Sequence, residues 1–298
     1  MKKIVCIFLL YCCVVSTAFA ASWKAKHVIL IGLDGWGAYS VEKAEMPTVK
    51  EMMKNGAYTL EKRSVLPSSS AVNWASMFMG AGPELHGYTE WGSKTPELPS
   101  RIVSHYGIFP TVFGLLRDAN PKAEIGCMYE WDGISYLVDK SALNYDKHVT
   151  EVKDNPAATA KLAADYIKSS KPNLLAVIFD EPDHVGHTAG HDTPEYYTKL
   201  KELDNYIAQI KKAVEDAGIL DETIFILTAD HGGINKGHGG KTMREMQTPF
   251  IMCGKNIKKG YVIEDSMMQF DVASTLAYIF KLDQPQVWIG RPMKKAFK

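Results

Sequence analysis

Two periodicities alternate along the chain. His27–Leu33, Leu174–Phe179 and Thr223–Thr228 are short, almost wholly apolar runs, the pattern of strands buried on both faces. Between the last two, Leu200, Leu203, Ile207, Ile210 and Val214 recur at intervals of three and four, which puts them on one face of a helix. Thr193 is placed to cap that helix, Pro194 to start it and Gly218 to follow its end. Further helices are predicted near 47–54, 70–79, 110–117, 157–169 and 271–280. Strands alternating with helices predict an α/β fold, a mainly parallel sheet with helices on both faces. The polar stretch 88–106, with Trp91 and Pro96, predicts a long loop or lid. No repeat or Pro/Gly/Ser-rich linker divides residues 21–298, so one domain is expected there.

Residues 1–20 stand apart. Lys2 and Lys3 precede an apolar stretch from Ile4 to Val15, and Ala18-Phe19-Ala20 supplies the small residues of a cleavage site. This is the pattern of a secretory signal peptide. The apolar run is too short to span a bilayer comfortably. The mature protein is therefore expected to be exported, periplasmic or secreted, with no membrane span. Cleavage would remove Cys6, Cys12 and Cys13 and leave Cys127 and Cys253. Both end apolar stretches, so buried unpaired thiols are expected, although an oxidising compartment permits a disulfide.

Composition narrows the function classes. The 298 residues carry 34 basic and 34 acidic side chains, without the basic surplus of a protein that binds duplex nucleic acid. At 46% hydrophobic and 23% charged, the chain is neither disordered nor fibrous. Nothing in these figures speaks to oligomeric state.

The candidate chemistry sits where the strands end. The first runs into Asp34-Gly35, the second into Asp180-Glu181-Pro182-Asp183 with His184 and His187, and the third into Asp230-His231-Gly232-Gly233 with His238 close behind. In an open α/β sheet, ligands bind beyond the carboxyl ends of the strands. Three segments would thus bring carboxylates and imidazoles to one edge, where they repel one another unless a cation intervenes. Oxygen and nitrogen donors without thiolate suit zinc, or manganese or iron, in a catalytic site. A nucleophile is available in Pro67-Ser68-Ser69-Ser70, which leads into an apolar helix. A helix N-terminus favours an anionic substrate, and a bound metal activates a nearby hydroxyl.

These segments resemble the alkaline phosphatase superfamily, and most closely its type I phosphodiesterase/nucleotide pyrophosphatase branch. Pro67 to Gly87 is similar to the branch's nucleophile block, with Asn73 three residues after Ser70 and Gly80, Pro83, Glu84 and His86-Gly87 beyond. Glu181-Pro182-Asp183 with Gly186-His187, and Asp230-His231-Gly232 with His238-Gly239, resemble its metal blocks. Serine stands where the branch usually carries threonine, and Val72 where proline usually follows. The resemblance implies a three-layer α/β/α sandwich and two zinc ions. One would be held by Asp34, Asp230, His231 and Ser70, the other by Asp183, His187 and His238. It further implies a covalent phospho-serine, with Asn73 and a backbone N–H beside Ser70 stabilising the phosphate oxygens. The sulfatase Cys/Ser-x-Pro-x-Arg block is absent, and no arginine lies close to Ser70 in sequence. That favours a small-molecule phosphodiester over a monoester, with Lys241 as the group that could reach phosphate, and Tyr88 and Trp91 as surfaces for a base or alkyl group. A phosphomonoesterase using the same residues, or a non-catalytic metal-binding relic, are the alternatives.

Overall fold

A computed structural model describes residues 23–149 and 156–298. The predicted signal peptide lies outside the described residues. Among those described, no helix is long and apolar enough to cross a membrane.

Eight strands of the described residues form one sheet: β1 (His27–Leu33), β2 (Gly56–Arg63), β3 (Ile125–Tyr129), β4 (Tyr145–His148), β5 (Leu174–Phe179), β6 (Thr223–Thr228), β7 (Gln247–Gly254) and β8 (Tyr261–Val262). Their spatial order is β4-β3-β5-β1-β6-β7-β2-β8. The five strands from β4 to β6 are parallel, and only β7 opposes its neighbours. The three strands read from the apolar runs are therefore side by side at the centre, β5-β1-β6, with the predicted bounds. The five other strands were not predicted. The two stretches singled out for their cysteines proved to be β3 and β7, with Cys127 and Cys253 free and buried. Three strands separate β3 from β7 in the sheet, and neighbouring strands lie about 4.8 Å apart, so these thiols are too distant to pair.

Alternation along each central strand divides the core in two. Val28 and Leu30 of β1, with Leu174, Ala176 and Ile178 of β5, pack on one side. Here lie α2 (Ser70–Met79), the neighbouring short α3 (Pro83–His86), α4 (Val112–Ala119) and α9 (Asp271–Phe280). Ile29, Ile31 and Leu33, with Leu175, Val177 and Phe179, face the other side. That face is covered by α1 (Pro47–Lys54), α5 (Pro156–Ser170) and α7 (Pro194–Asp216). The α6 segment (Asp183–Thr188) follows β5, and α8 (Met243–Met246) precedes β7. The result is the predicted helix–sheet–helix layering.

Local sequence explains the helix ends. Thr193 caps α7, its Oγ1 accepting from Tyr196 N, and the five apolar positions of the predicted face are buried. α4 begins two residues later than predicted because Thr111 is its cap, with Oγ1 accepting from Phe113 N at 3.1 Å. The stretch 88–106 contains no helix or strand. It is braced internally by Glu97, which accepts from Thr89 N at 2.7 Å and Ser93 Oγ at 2.8 Å.

Candidate metal centre and active site

β1, β5 and β6 point the same way, so the residues that follow them collect at one edge of the sheet. Asp34 follows β1 directly, and Asp230 stands two residues beyond β6. Each carboxylate is held by one oxygen and presents the other. Trp74 Nε1 donates to Asp34 Oδ2 at 3.0 Å, and Gly35 N donates to Asp230 Oδ1 at 3.2 Å. The remaining atoms, Asp34 Oδ1 and Asp230 Oδ2, are buried without a hydrogen-bond partner among the described residues. They lie 3.3 and 3.2 Å from His231 Nε2. Ser70 Oγ stands 3.2 Å from the same nitrogen. His231 Nδ1 is 2.8 Å from Gly232 O, which places the ring proton there and leaves Nε2 as a lone pair.

A second group adjoins the first. Asp183 Oδ2 lies 3.0 Å from His187 Nε2 and 3.8 Å from His238 Nε2, and the two imidazole nitrogens are 3.1 Å apart. Both rings set Nδ1 against a carbonyl, His187 on Lys236 O at 2.9 Å and His238 on Ser68 O at 3.1 Å. Anchoring the far nitrogen in this way turns the near one inward, as in imidazoles that ligate metals. Gly35 makes room for the assembly. It adopts a left-handed φ of 69°, and a Cβ there would stand 2.7 Å from Asp183 Oδ1.

Electrostatics follow from this crowding. Burial first, then the charges of Asp230 and Asp183, push the Asp34 carboxyl well above its ordinary range. Burial and the charge of Asp183 raise Asp230 to about 7. Burial works against ionisation of Asp183 as well, but the hydrogen bond from His187 and the surrounding imidazoles hold its carboxyl low. The same hydrogen bond lifts His187 to about 9. Burial lowers His231, and lowers His238 to about 4. Carboxylate oxygens without partners, facing bare imidazole nitrogens, are unfavourable by themselves and favourable around divalent cations. Asp34, Asp230 and His231 form one such group, and Asp183, His231 and His238 another. The donors present fit a pair of oxygen- and nitrogen-ligated metal ions.

Beside these groups opens a cleft of about 540 Å³ lined by Pro67, Ser69, Glu90, Trp91, His187, His238 and Gly239. Its aromatic wall is Trp91, 67% exposed. Tyr88, expected beside it, is buried, and its hydroxyl donates to Tyr136 O at 3.2 Å; it is a packing residue. Lys241 is exposed and does not line the cleft.

Asn73 also departs from expectation. Its Nδ2 donates to Val65 O, Pro67 O and Ser69 O at 3.0–3.2 Å, and its Oδ1 accepts from Val65 N at 2.7 Å. The amide is fully engaged in folding the serine turn and has no capacity left for phosphate. The backbone N–H next to Ser70 is committed too, since Ala71 N donates to Trp91 O at 3.1 Å.

Two contributors, Trp74 and Glu90, and a buried neighbour of the site, His191, escaped the sequence reading. Trp74 was hidden in an apolar helix. Glu90 belongs to an irregular loop without periodicity. His191 did leave a signal, four residues after His187, but no strand end flanks it. A buried lysine completes the supporting structure: Lys62 Nζ donates to Ala229 O at 2.9 Å and to Gln269. Gln269 Nε2 in turn donates to Ala229 O and to Asn73 O. This bridge ties the helix of Ser70 to the segment of Asp230, and burial pulls the Lys62 amine down to about 7.

The sequence profile of the type I phosphodiesterase/nucleotide pyrophosphatase family matches residues 28–244. The chain belongs to that family, within the alkaline phosphatase superfamily. Among curated relatives, venom phosphodiesterase 2 of Crotalus adamanteus is 23% identical over 73% of this chain and 28% of its own length. GPI ethanolamine phosphate transferase 3 of Schizosaccharomyces pombe is 32% identical over 45% of this chain and 14% of its own. The chain thus spans less than a third of either relative. In fold, it is similar to murine ectonucleotide pyrophosphatase/phosphodiesterase 5, solved as an inactive variant with AMP. That likeness has a TM-score of 0.76 at 15% identity, covering 92% of this chain and 100% of the other. A 2-O glycosaminoglycan sulfatase superposes with a TM-score of 0.71, also at 15% identity, over 92% of this chain and 74% of its own.

Proposed function

We propose that this family member is a two-zinc phosphodiesterase that uses Ser70 as its nucleophile. The observation that carries the reading is the meeting of Ser70 Oγ, Asp34 Oδ1 and Asp230 Oδ2 around His231 Nε2, all within 3.3 Å of it. Asp34, Asp230, His231 and Ser70 would hold one ion, and Asp183, His187 and His238 the other. When bound, the ions would neutralise the phosphate and lower the pKa of the hydroxyl beside them.

The remaining work falls to the chain. Ser70 begins α2, whose N-terminal dipole favours the incoming anion. Asn73 holds the serine turn rigid from behind. Of the three neighbouring serines, Ser68 donates its hydroxyl to Gly240 O at 2.6 Å, and Ser70 alone stands against His231. Ser70 Oγ bonds to phosphorus as the P–O bond to the leaving alcohol breaks, and the serine proton leaves with the alcohol. Water then displaces Oγ from phosphorus and returns a proton to it.

Substrate charge is read from the cleft. Among the described residues its lining includes Glu90 and no lysine or arginine. A phosphodiester, with one negative charge, suits such walls better than a monoester dianion. Trp91 offers a face to an aromatic or alkyl ester group.

The test is the ratio of hydrolysis rates for bis-p-nitrophenyl phosphate and p-nitrophenyl phosphate by the zinc-loaded protein, beside Ser70→Ala. A ratio above one, abolished by the substitution, is expected. A ratio below one would move the enzyme to the monoesterases, and equal rates from Ser70→Ala would remove the nucleophile.

A further inference from the structure

His191 has no part in the site as built so far, yet its burial demands an explanation. The side chain is fully buried, and among the described residues neither ring nitrogen has a hydrogen-bond partner. Such a group costs free energy unless something it faces repays the loss. What it faces is Asp183: Nε2 lies 3.7 Å from Oδ1, the one oxygen of that carboxylate that also lacks a partner.

The fold makes space for this ring from two sides. A Cβ at Gly186 would stand 2.4 Å from His191 Cε1, and one at Gly233 would stand 2.3 Å from the same atom. Tyr196 packs against it with ring centroids 5.5 Å apart. The backbone is anchored as well, His191 N donating to Asn235 O at 2.6 Å. An imidazole held this firmly is not filler, since an apolar side chain would occupy the same volume without stranding two nitrogens.

His191 also differs from the three inward-facing imidazoles. His187, His231 and His238 each set Nδ1 on a backbone carbonyl, the arrangement that turns Nε2 toward an ion. His191 has no such anchor and approaches Oδ1, whereas His187 and His238 approach Oδ2. Its geometry is that of a donor to the carboxylate's outer oxygen.

We propose that His191 is a positioning residue for the second metal ion: its Nε2–H donates to Asp183 Oδ1 and so directs Oδ2 toward the ion held with His187 and His238. The inference rests on the two-metal reading above. The gap of 3.7 Å exceeds a hydrogen bond by less than 1 Å. Outer partners of this kind typically tune metal affinity 10- to 100-fold.

The experiment titrates zinc into metal-free protein against a chromophoric chelator, for wild type, His191→Phe and His191→Gln. Wild type should bind two ions. His191→Phe should weaken the second by about 10- to 100-fold and spare the first, while His191→Gln, which restores an N–H donor, should recover most of the loss. Melting of each metal-free protein checks that the variants fold. Should the phenylalanine not fit, His191→Met replaces it, near-isosteric with glutamine but without the amide. Unchanged second-site affinity in the variant lacking a donor would overturn the inference while leaving the two-metal reading intact. Fewer than two ions in wild type would overturn both.

Discussion

Trp74 Nε1 donates to Asp34 Oδ2 at 3.0 Å, so the helix that carries Ser70 also orients a carboxylate of the first metal group. Nucleophile and ligand are set by one rigid element, and displacing α2 would disturb both. Trp74→Phe keeps most of the ring but leaves Asp34 Oδ2 buried without its donor. The expected result is a loss of about 1–3 kcal/mol in stability and about 10- to 100-fold weaker zinc binding at the first group. Denaturant melts and zinc titration measure the two effects separately; undiminished zinc affinity would show that the indole is only packing.

Asn73 and Ser70 should respond differently to alanine. Ser70→Ala is expected to fold with near-wild-type stability and to lose turnover. Asn73→Ala strands the N–H and carbonyl of Val65, while Pro67 O and Ser69 O keep their backbone donors, and is expected to cost about 2 kcal/mol. Thermal melts of the two variants side by side decide it. A stable Asn73→Ala protein with only a raised KM would return that residue to the substrate.

Outside the metal groups, Glu130 is a half-buried carboxyl raised to about 7, chiefly by desolvation. It accepts from Thr159 Oγ1 at 2.7 Å and Asp180 N at 2.8 Å. Because the folded pKa lies above the unfolded one, protonation stabilises the fold. That contribution is complete below the unfolded pKa of 4.5 and fades as pH rises through about 7. Glutamine fits the same contacts, its carbonyl accepting from Asp180 N and its amide donating to Thr159. Glu130→Gln should therefore exceed wild type in stability at pH 8, on the order of 1–3 kcal/mol, with the advantage vanishing near pH 4. Melting temperatures of both zinc-loaded proteins across that range test it; a pH-independent difference would contradict it.

Trp91 is exposed at the cleft, and it is the backbone carbonyl that accepts from Ala71 N, so its side chain is replaceable. Trp91→Ala is expected to raise KM for an aromatic diester by about 2- to 13-fold, the worth of one aromatic contact, and to spare a methyl ester. Equal effects on both esters would mean that the loop, rather than the indole, had been altered.

Much of this was legible in the sequence. The apolar runs of β1, β5 and β6 were read with their bounds because a strand buried on both faces has no polar position to blur it. Asp34, Asp183, Asp230, His231 and His238 were legible as candidates because each follows a strand, and parallel strands deliver their ends to one edge. The edge strands were not legible: β4 is Tyr145–His148, half polar, and β8 is two residues long. Sequence alone also determined that carboxylates and imidazoles without thiolates would gather beside a serine. Only the tertiary structure decided which oxygen of Asp34 and of Asp230 is held and which is presented, because Trp74 and Gly35 reach them from other segments. It likewise decided that Asn73 and Tyr88 serve the fold while Trp91 faces the cleft. A side chain's direction depends on which partners the packed chain leaves it, and spacing along the sequence carries no record of that choice.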